Sequence, residues 1–302
     1  MDITKLMFRP GLMKGERILV TGGGTGLGKE MAEAFLALGA TVYIWGRRGA
    51  VVEEAAQELM ANHGGKVVGQ SVDIRKPDAI KAAVDAIWAD GGALTGVVNN
   101  AAGNFISRTE DLSVNGFNAI SDIVFRGTFY VTLDIGKRLI AEKRQASFLA
   151  ILTTWVWNGS AFTVPSAMSK AGVNVMTQSL ATEWGRYGLR FNAIAPGPFP
   201  TKGAWDRLSP GGGNLIGEGS SRTGNPMGRV GEMHELANLA VLLMARGADY
   251  VNGQTIAIDG AAYQAGGGNF YSSLMPLGDE EWSAVSSMIR GTNDKDKATR
   301  TA

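Results

Sequence analysis

The 302-residue chain contains no cysteine and only two histidines, His63 and His234. Without thiols there is no disulfide and no thiolate metal centre, and two imidazoles at no ligand spacing read as structural or surface residues. Charge of one sign is equally scarce. The net charge is +1, with 29 Lys and Arg scattered among 28 Asp and Glu. That balance leaves no basic excess to neutralise phosphates, so nucleic acid and anionic membrane are not expected partners and small molecules are. No stretch reaches the ~18–20 uninterrupted apolar residues of a membrane-spanning helix. The first residues break their apolar run with Lys5, Arg9 and Pro10, unlike the apolar centre of a secretory signal. A soluble, cytoplasmic protein is the expectation. The remainder, 45% hydrophobic and 19% charged, suffices for one full core, as in an ordinary globular enzyme.

Patterning along the chain alternates strand with helix. Strands are predicted at Arg17 to Thr21, Thr41 to Trp45, Lys66 to Val72, Gly96 to Asn99, Ala146 to Thr153, Leu189 to Ala195 and Gln254 to Ile258. Helices are predicted at Lys29 to Leu38, Val51 to Met60, Asp78 to Trp88, Phe117 to Ile140, Met168 to Trp184 and Glu232 to Met244. Such alternation implies an α/β fold, a single Rossmann-type doubly wound parallel sheet of about seven strands with helices on both faces. The segment 201–228, rich in Gly, Ser and Pro, reads as a substrate lid within a domain spanning 1–260. Beyond it, 261–302 reads as a partly disordered extension with a short helix at Asp279 to Ile289 and a charged tail.

The densest chemical signal is Thr21-Gly22-Gly23-Gly24-Thr25-Gly26-Leu27-Gly28, placed where the first strand turns into the first helix. Glycines there let the backbone approach a pyrophosphate, and the helix N-terminus offers free N–H groups and a favourable dipole. Gly22, Gly24, Thr25, Gly26 and Leu27 are therefore candidate cofactor contacts. After the second strand stands Gly46-Arg47-Arg48 instead of an acidic residue for a ribose 2′-hydroxyl. Arginine favours a 2′-phosphate, so NADPH is expected over NADH with Arg47 as the contact; the alternative is a solvated arginine pair.

Together with Asp73, Asn99 to Gly103, Lys170 and Pro196-Gly197, this glycine loop resembles the short-chain dehydrogenase/reductase superfamily from about Arg17 to Gly260. Within it, Asn99 to Ser107, Thr109-Glu110, Gly127 to Ile140, Pro165 to Gly172, Glu183 to Asn192, Pro196 to Pro198 and Thr201 to Ala204 resemble the 2,4-dienoyl-CoA reductases. The resemblance implies a sheet ordered 3-2-1-4-5-6-7, Asp73 and Ile74 near an adenine, and Asn100 and Ala101 under the cofactor. It further implies Lys170 on the nicotinamide ribose, Pro196, Gly197 and Thr201 around the nicotinamide amide, an acyl-CoA substrate and a homotetramer.

Most of the superfamily uses Tyr-x-x-x-Lys, in which the lysine lowers the tyrosine pKa for proton exchange with an alcohol. This chain reads Ser166-Ala167-Met168-Ser169-Lys170. A serine hydroxyl is far too weak an acid for that task, so ordinary carbonyl–alcohol interconversion is disfavoured. Dienoyl-CoA reductases resemble the chain in carrying serine here, and their reaction needs hydrogen-bond donors to a developing dienolate rather than a strong acid. Two departures stand out. The tyrosine donor that mitochondrial-type members place after the fifth strand is missing from Thr153-Thr154-Trp155-Val156-Trp157-Asn158, leaving the Thr154 hydroxyl or the indoles of Trp155 and Trp157 as donors. Arg126 occupies a position that usually holds asparagine; it either faces the carbonyl or points outward. Phe105, Trp155, Trp157 and Phe162 are candidate walls of an acyl pocket or plain core residues, and Arg108 is a candidate for a CoA phosphate or solvent. Two alternatives to a dienoyl thioester reductase remain: a redox enzyme of the same type acting on a bulkier or non-CoA substrate, and a dinucleotide-binding protein without catalysis.

Overall fold

The computed structural model describes residues 1–201, 225–267, 274 and 276–300. Seven parallel strands form one sheet: β1 (Arg17–Thr21), β2 (Thr41–Gly46), β3 (Lys66–Ser71), β4 (Gly96–Asn99), β5 (Ala146–Ile151), β6 (Leu189–Pro196) and β7 (Thr255–Ile258). Their order is β3-β2-β1-β4-β5-β6-β7, the order implied by the resemblance. The chain winds outward from β1 to β3, then crosses back to β4, so a crevice opens between the carboxyl ends of β1 and β4.

Helices cover both faces, which is why β4 and β5 are buried at every position and read as continuous apolar runs. On one face, α1 (Gly26–Ala37) and α2 (Gly49–His63) place Met31, Phe35, Val52 and Leu59 against Val20, Ile44 and Leu149. On the other, α3 (Pro77–Ala89) contributes Ile80 and Val84 to a second core around Leu19, Val97 and Phe148. Phe148 and Leu149 enter opposite cores, as the two-residue period of a strand requires. Before β1, the Met7 N–H donates to Asn238 Oδ1 at 2.9 Å and Asn238 Nδ2 donates to the Lys5 carbonyl at 3.1 Å. The residues ahead of the first strand are thus strapped to a helix late in the chain.

Three predicted elements differ from the observed ones. The single helix expected from Phe117 to Ile140 begins at Val114 and is interrupted: α4 (Val114–Ser121), a π-turn (Asp122–Gly127), then α5 (Thr128–Ala141). Ser113 Oγ accepts the Gly116 N–H at 3.0 Å and fixes the earlier start. After the one-turn α6 (Trp155–Asn158), the helix expected from Met168 starts instead at Val164 and runs to Trp184 as α7, because Pro165 is tolerated in a first turn where no N–H is needed. Ser166 and Lys170 therefore share a helix face one turn apart, rather than having the helix begin between them.

The third difference is at the end of the chain. After α8 (Met233–Met244) and β7 comes the short α9 (Ala262–Gly267), and the short helix expected at Asp279 to Ile289 starts where predicted but continues through the charged tail as α10 (Asp279–Arg300). Asp279, Glu280 and Glu281 in its first turn complement the helix dipole, and Glu281 accepts the Gly278 N–H at 2.6 Å. Residues 202–224, most of the expected lid, lie outside the described residues. Among the described residues no helix is long and apolar enough to cross a membrane.

Candidate active site

The candidate site runs along the carboxyl edge of the sheet. Gly22 and Gly26 take φ of +66° and +55°, conformations that side chains resist. A Cβ on Gly28 would lie 2.4 Å from both Asn100 Nδ2 and the Gly22 carbonyl, so only glycine lets α1 start this close to the turn. The turn is clipped to β4: Thr21 Oγ1 accepts the N–H groups of Asn100 and Ala101 at 3.0 Å each, and Asn100 Nδ2 donates to the Thr21 and Gly22 carbonyls at 3.0 and 3.3 Å. Asn100 is thus a backbone clip under the glycine loop, and Thr21 is a member of the site that the glycine motif alone does not single out. Thr25 is the N-cap of α1 and makes no side-chain capping bond, and among the described residues no side chain is bonded to the first N–H groups of the helix. Thr201 lies across the loop, its Cγ2 3.6 Å from where a Gly26 Cβ would be.

At the other end of the crevice, Arg47 and Arg48 are exposed at the end of β2, and Ser71 Oγ donates to the Arg47 carbonyl at 3.2 Å. Asp73 follows β3. The bound Arg75 guanidinium, 2.6 Å away, holds its carboxyl down at about 2, and Arg47 adds to the same effect. Ile74 is buried against the π-turn: a Cβ on Gly127 would come within 2.7 Å of Ile74 Cγ1.

The chemistry-bearing side chains meet at the ends of β5 and β6. Lys170 Nζ donates to the carbonyls of Leu152 at 2.8 Å and Ile151 at 3.3 Å, immediately before the buried Thr153 and Thr154. Burial pushes the amine down to about 8. One turn earlier, Ser166 is 1% exposed and its hydroxyl has no hydrogen-bond partner among the described residues. A buried hydroxyl left unpaired costs about 1–3 kcal/mol, so this hydroxyl is a candidate donor to a group that enters the site. Pro196 and Gly197 close the row at the end of β6, where the Gly197 N–H donates to the Ile258 carbonyl at 3.0 Å. Uncapped helix N–H groups, a glycine cradle, a buried amine and an orphan hydroxyl on one edge fit a nicotinamide dinucleotide.

Not every candidate joins this group. The Arg126 guanidinium faces outward, 63% exposed, and pairs with Asp122 one turn earlier at 3.2 Å. Arg108 is exposed and paired with Asp111 at 2.6 Å. Phe105 leans on α4, close to Gly116. Trp155 is half-buried, while Trp157 and Phe162 are exposed at the mouth. Phe162 takes φ +64°, rare for an aromatic residue, and its carbonyl accepts the Ser107 N–H at 2.9 Å, tying the loop after β4 to the loop after β5. Tyr263, from α9, stacks on Trp157 with ring centroids 4.6 Å apart and planes 23° off parallel. Nothing in the spacing of the sequence signals that contact.

The fold is that of an oxidoreductase, with a site that fits a nicotinamide cofactor. The model of the enoyl-(acyl carrier protein) reductase family matches residues 22–261, and the chain belongs to the short-chain dehydrogenase/reductases. It is similar to a probable 2,4-dienoyl-CoA reductase of Caenorhabditis elegans, 44% identical over 97% of this chain and 95% of that protein. Among solved structures, a short chain dehydrogenase of Bacillus anthracis superposes with a TM-score of 0.75 at 38% identity, over 83% of this chain and 98% of that one. A 3-ketoacyl-(acyl-carrier-protein) reductase of Brucella melitensis, solved with NADH, gives 0.74 at 26% identity, over 83% and 99%.

Proposed function

We propose that the protein is an NADPH-dependent reductase of conjugated enoyl thioesters, of the 2,4-dienoyl-CoA type. The observation that carries this reading is the pairing of Ser166 with Lys170. The lysine that organises a family site is in place, while the residue one turn before it is no acid. A substrate that needs no alkoxide protonated suits that combination.

In this reading the N–H groups around Gly22, Gly24, Thr25, Gly26 and Leu27 hold the pyrophosphate, Asp73 and Ile74 flank the adenine, and Arg47 meets the 2′-phosphate. Asn100 and Ala101 support the cofactor from below; Lys170 donates to ribose hydroxyls; Pro196, Gly197 and Thr201 surround the amide. NADPH, when bound, supplies the hydride to the distal end of the diene. Negative charge then collects on the thioester oxygen, where the hydroxyls of Ser166 and Thr154 and the indole N–H groups of Trp155 and Trp157 are the available neutral donors. A proton from water added beside the thioester gives a product with one double bond fewer. Phe105, Trp157 and Phe162 flank the acyl chain, and Arg108 reaches a CoA phosphate after release from Asp111. Arg126 takes part only once its guanidinium leaves Asp122. The same reading carries a homotetramer and a cytoplasmic location; the exposed Phe129 and Val175 on α5 and α7 are candidate contacts between subunits.

The test is oxidation of NADPH by purified protein with 2,4-hexadienoyl-CoA or 2,4-decadienoyl-CoA, against a saturated acyl-CoA and a simple ketone. Turnover confined to the dienoyl thioesters is expected. Turnover only with the ketone would transfer the enzyme to another substrate class, and tight NADPH binding with no turnover would make it a binding protein.

A further inference from the structure

The end of the sheet carries an aromatic pair that neither core uses. Trp157 follows β5 and Tyr263 follows β7, so their stack crosses the end of β6, the strand that delivers Pro196 and Gly197. Trp157 is 42% exposed and Tyr263 half-buried, and both rings lie outside the two large apolar cores.

The chain is bent to make this contact. After β7, Gly260 and Ala261 take φ of +62° and +66°, the second in a conformation that a residue with a Cβ rarely adopts. The buried Asp259 holds the reversal: its carboxylate oxygens accept the N–H groups of Ala261 at 3.0 Å and Tyr263 at 2.9 Å. Gly197 packs against the same Asp259, since a Cβ there would lie 2.6 Å from Asp259 Cβ. One carboxylate thus fixes the segment carrying Tyr263 directly beside the residues at the end of β6. On the other side of the mouth, Phe162 is also held at positive φ with its ring 55% exposed. Two of the three non-glycine residues at positive φ among the described residues therefore stand next to this opening.

Resting on the reductase reading above, we propose that Tyr263 is a substrate-positioning residue, its ring stacked with Trp157 into a flat aromatic wall that the planar conjugated acyl group lies against. A conjugated dienoyl thioester is a rigid plane and gains from a flat aromatic face, whereas a saturated chain is puckered and gains less. The work is done by the ring and not by the hydroxyl.

Tyr263→Ala, Tyr263→Phe, Trp157→Ala and the Tyr263→Ala/Trp157→Ala double variant test this. For the dienoyl-CoA substrate, Tyr263→Ala should raise KM by roughly three- to tenfold, the range of one aromatic contact, with kcat changed less than twofold. Tyr263→Phe should restore the wild-type KM, and the double variant should be little worse than Trp157→Ala alone, because losing the indole already removes the stack. Melting temperature should fall by no more than about a few degrees in the Ala variants, the worth of one aromatic pair, and the NADPH dissociation constant, read by nicotinamide fluorescence, should stay unchanged in the Tyr263 variants. Calorimetric titration of the NADP-loaded protein should show the loss for the dienoyl-CoA and not for the saturated acyl-CoA of the same length. An unchanged KM in Tyr263→Ala would overturn the proposal, as would a Tyr263→Phe variant as impaired as Tyr263→Ala, which would move the role to the hydroxyl. Normal wild-type turnover with an indifferent Tyr263→Ala removes only the wall, whereas absence of wild-type turnover on every dienoyl thioester removes the reductase reading and the wall with it.

Discussion

Replacing Lys170 with methionine should make the cofactor-free protein relatively more stable at neutral pH while weakening its hold on NADPH. The residue is partly exposed but its amine is buried, its described partners are the Ile151 and Leu152 carbonyls, and burial lowers it from 10.5 to about 8. A lysine whose folded pKa lies below its unfolded one binds fewer protons when folded. Between those two values the wild-type stability rises with pH, and below about 8 the full cost of burying the charge is present. At about 1.4 kcal/mol per pKa unit, the gap corresponds to about 3 kcal/mol, which partial solvent access reduces to about 2. Any packing gained or lost in Lys170→Met is independent of pH, so the discriminating quantity is the change in the variant-minus-wild-type difference. Urea unfolding at intervals from pH 7 to 11 should show that difference shrinking by about 2 kcal/mol as pH rises through the window, with the greater advantage for methionine at pH 7. NADPH fluorescence titration at pH 7 should show the opposite trend, weaker binding in the variant by tenfold or so, from the loss of a charge-assisted donor. A stability difference that does not move with pH would refute the argument from burial, and unchanged NADPH affinity would remove Lys170 from the cofactor site.

Gly28→Ala should lower stability by about 1–3 kcal/mol and weaken NADPH binding, because the new Cβ lands on Asn100 Nδ2 and the Gly22 carbonyl at 2.4 Å; an equally stable variant binding normally would mean that the turn relaxes freely. Arg47→Asp should shift the NADPH to NADH ratio of kcat/KM by roughly tenfold or more toward NADH, the worth of one charged contact to phosphate, and an unaltered ratio would exclude this residue as the selector. Arg126→Asn should leave turnover within a few-fold of wild type, since the guanidinium faces solvent beside Asp122; complete loss would show that the cation joins the chemistry.

The parts of this architecture legible in the sequence are those governed by short-range rules. The alternation of apolar runs with helical spacing gave every strand to within a residue or two, because a sheet covered on both faces demands near-continuous apolar segments. The glycine loop was legible for a similar reason, since close backbone approach forces glycine at fixed positions. What escaped has long-range or local-competition causes. The π-turn leaves no strong mark on apolar spacing, and Pro165 looks like a helix breaker although it sits harmlessly in the first turn of α7. The charged residues after Ile289 read as a solvated tail, although α10 continues through them to Arg300. Thr21 and Tyr263 depend on partners far away in the chain, Asn100 and Trp157, which no spacing rule connects.

The π-turn has a consequence for how the mouth of the site is phased. It holds one residue more than the α-helix it replaces, so α4 and α5 are out of step by about 100°. The inward face of α5, with Val131, Ile135 and Leu139, is locked to the sheet, whereas α4 buries only Ile120 and carries Gly116 against Phe105. Removing one residue between Asp122 and Gly127 would join the two into one straight helix and turn Gly116 away from Phe105, while leaving the core face of α5 where it is. The extra residue works like a vernier, letting one continuous rod present one azimuth to the core and an independent one to the substrate side.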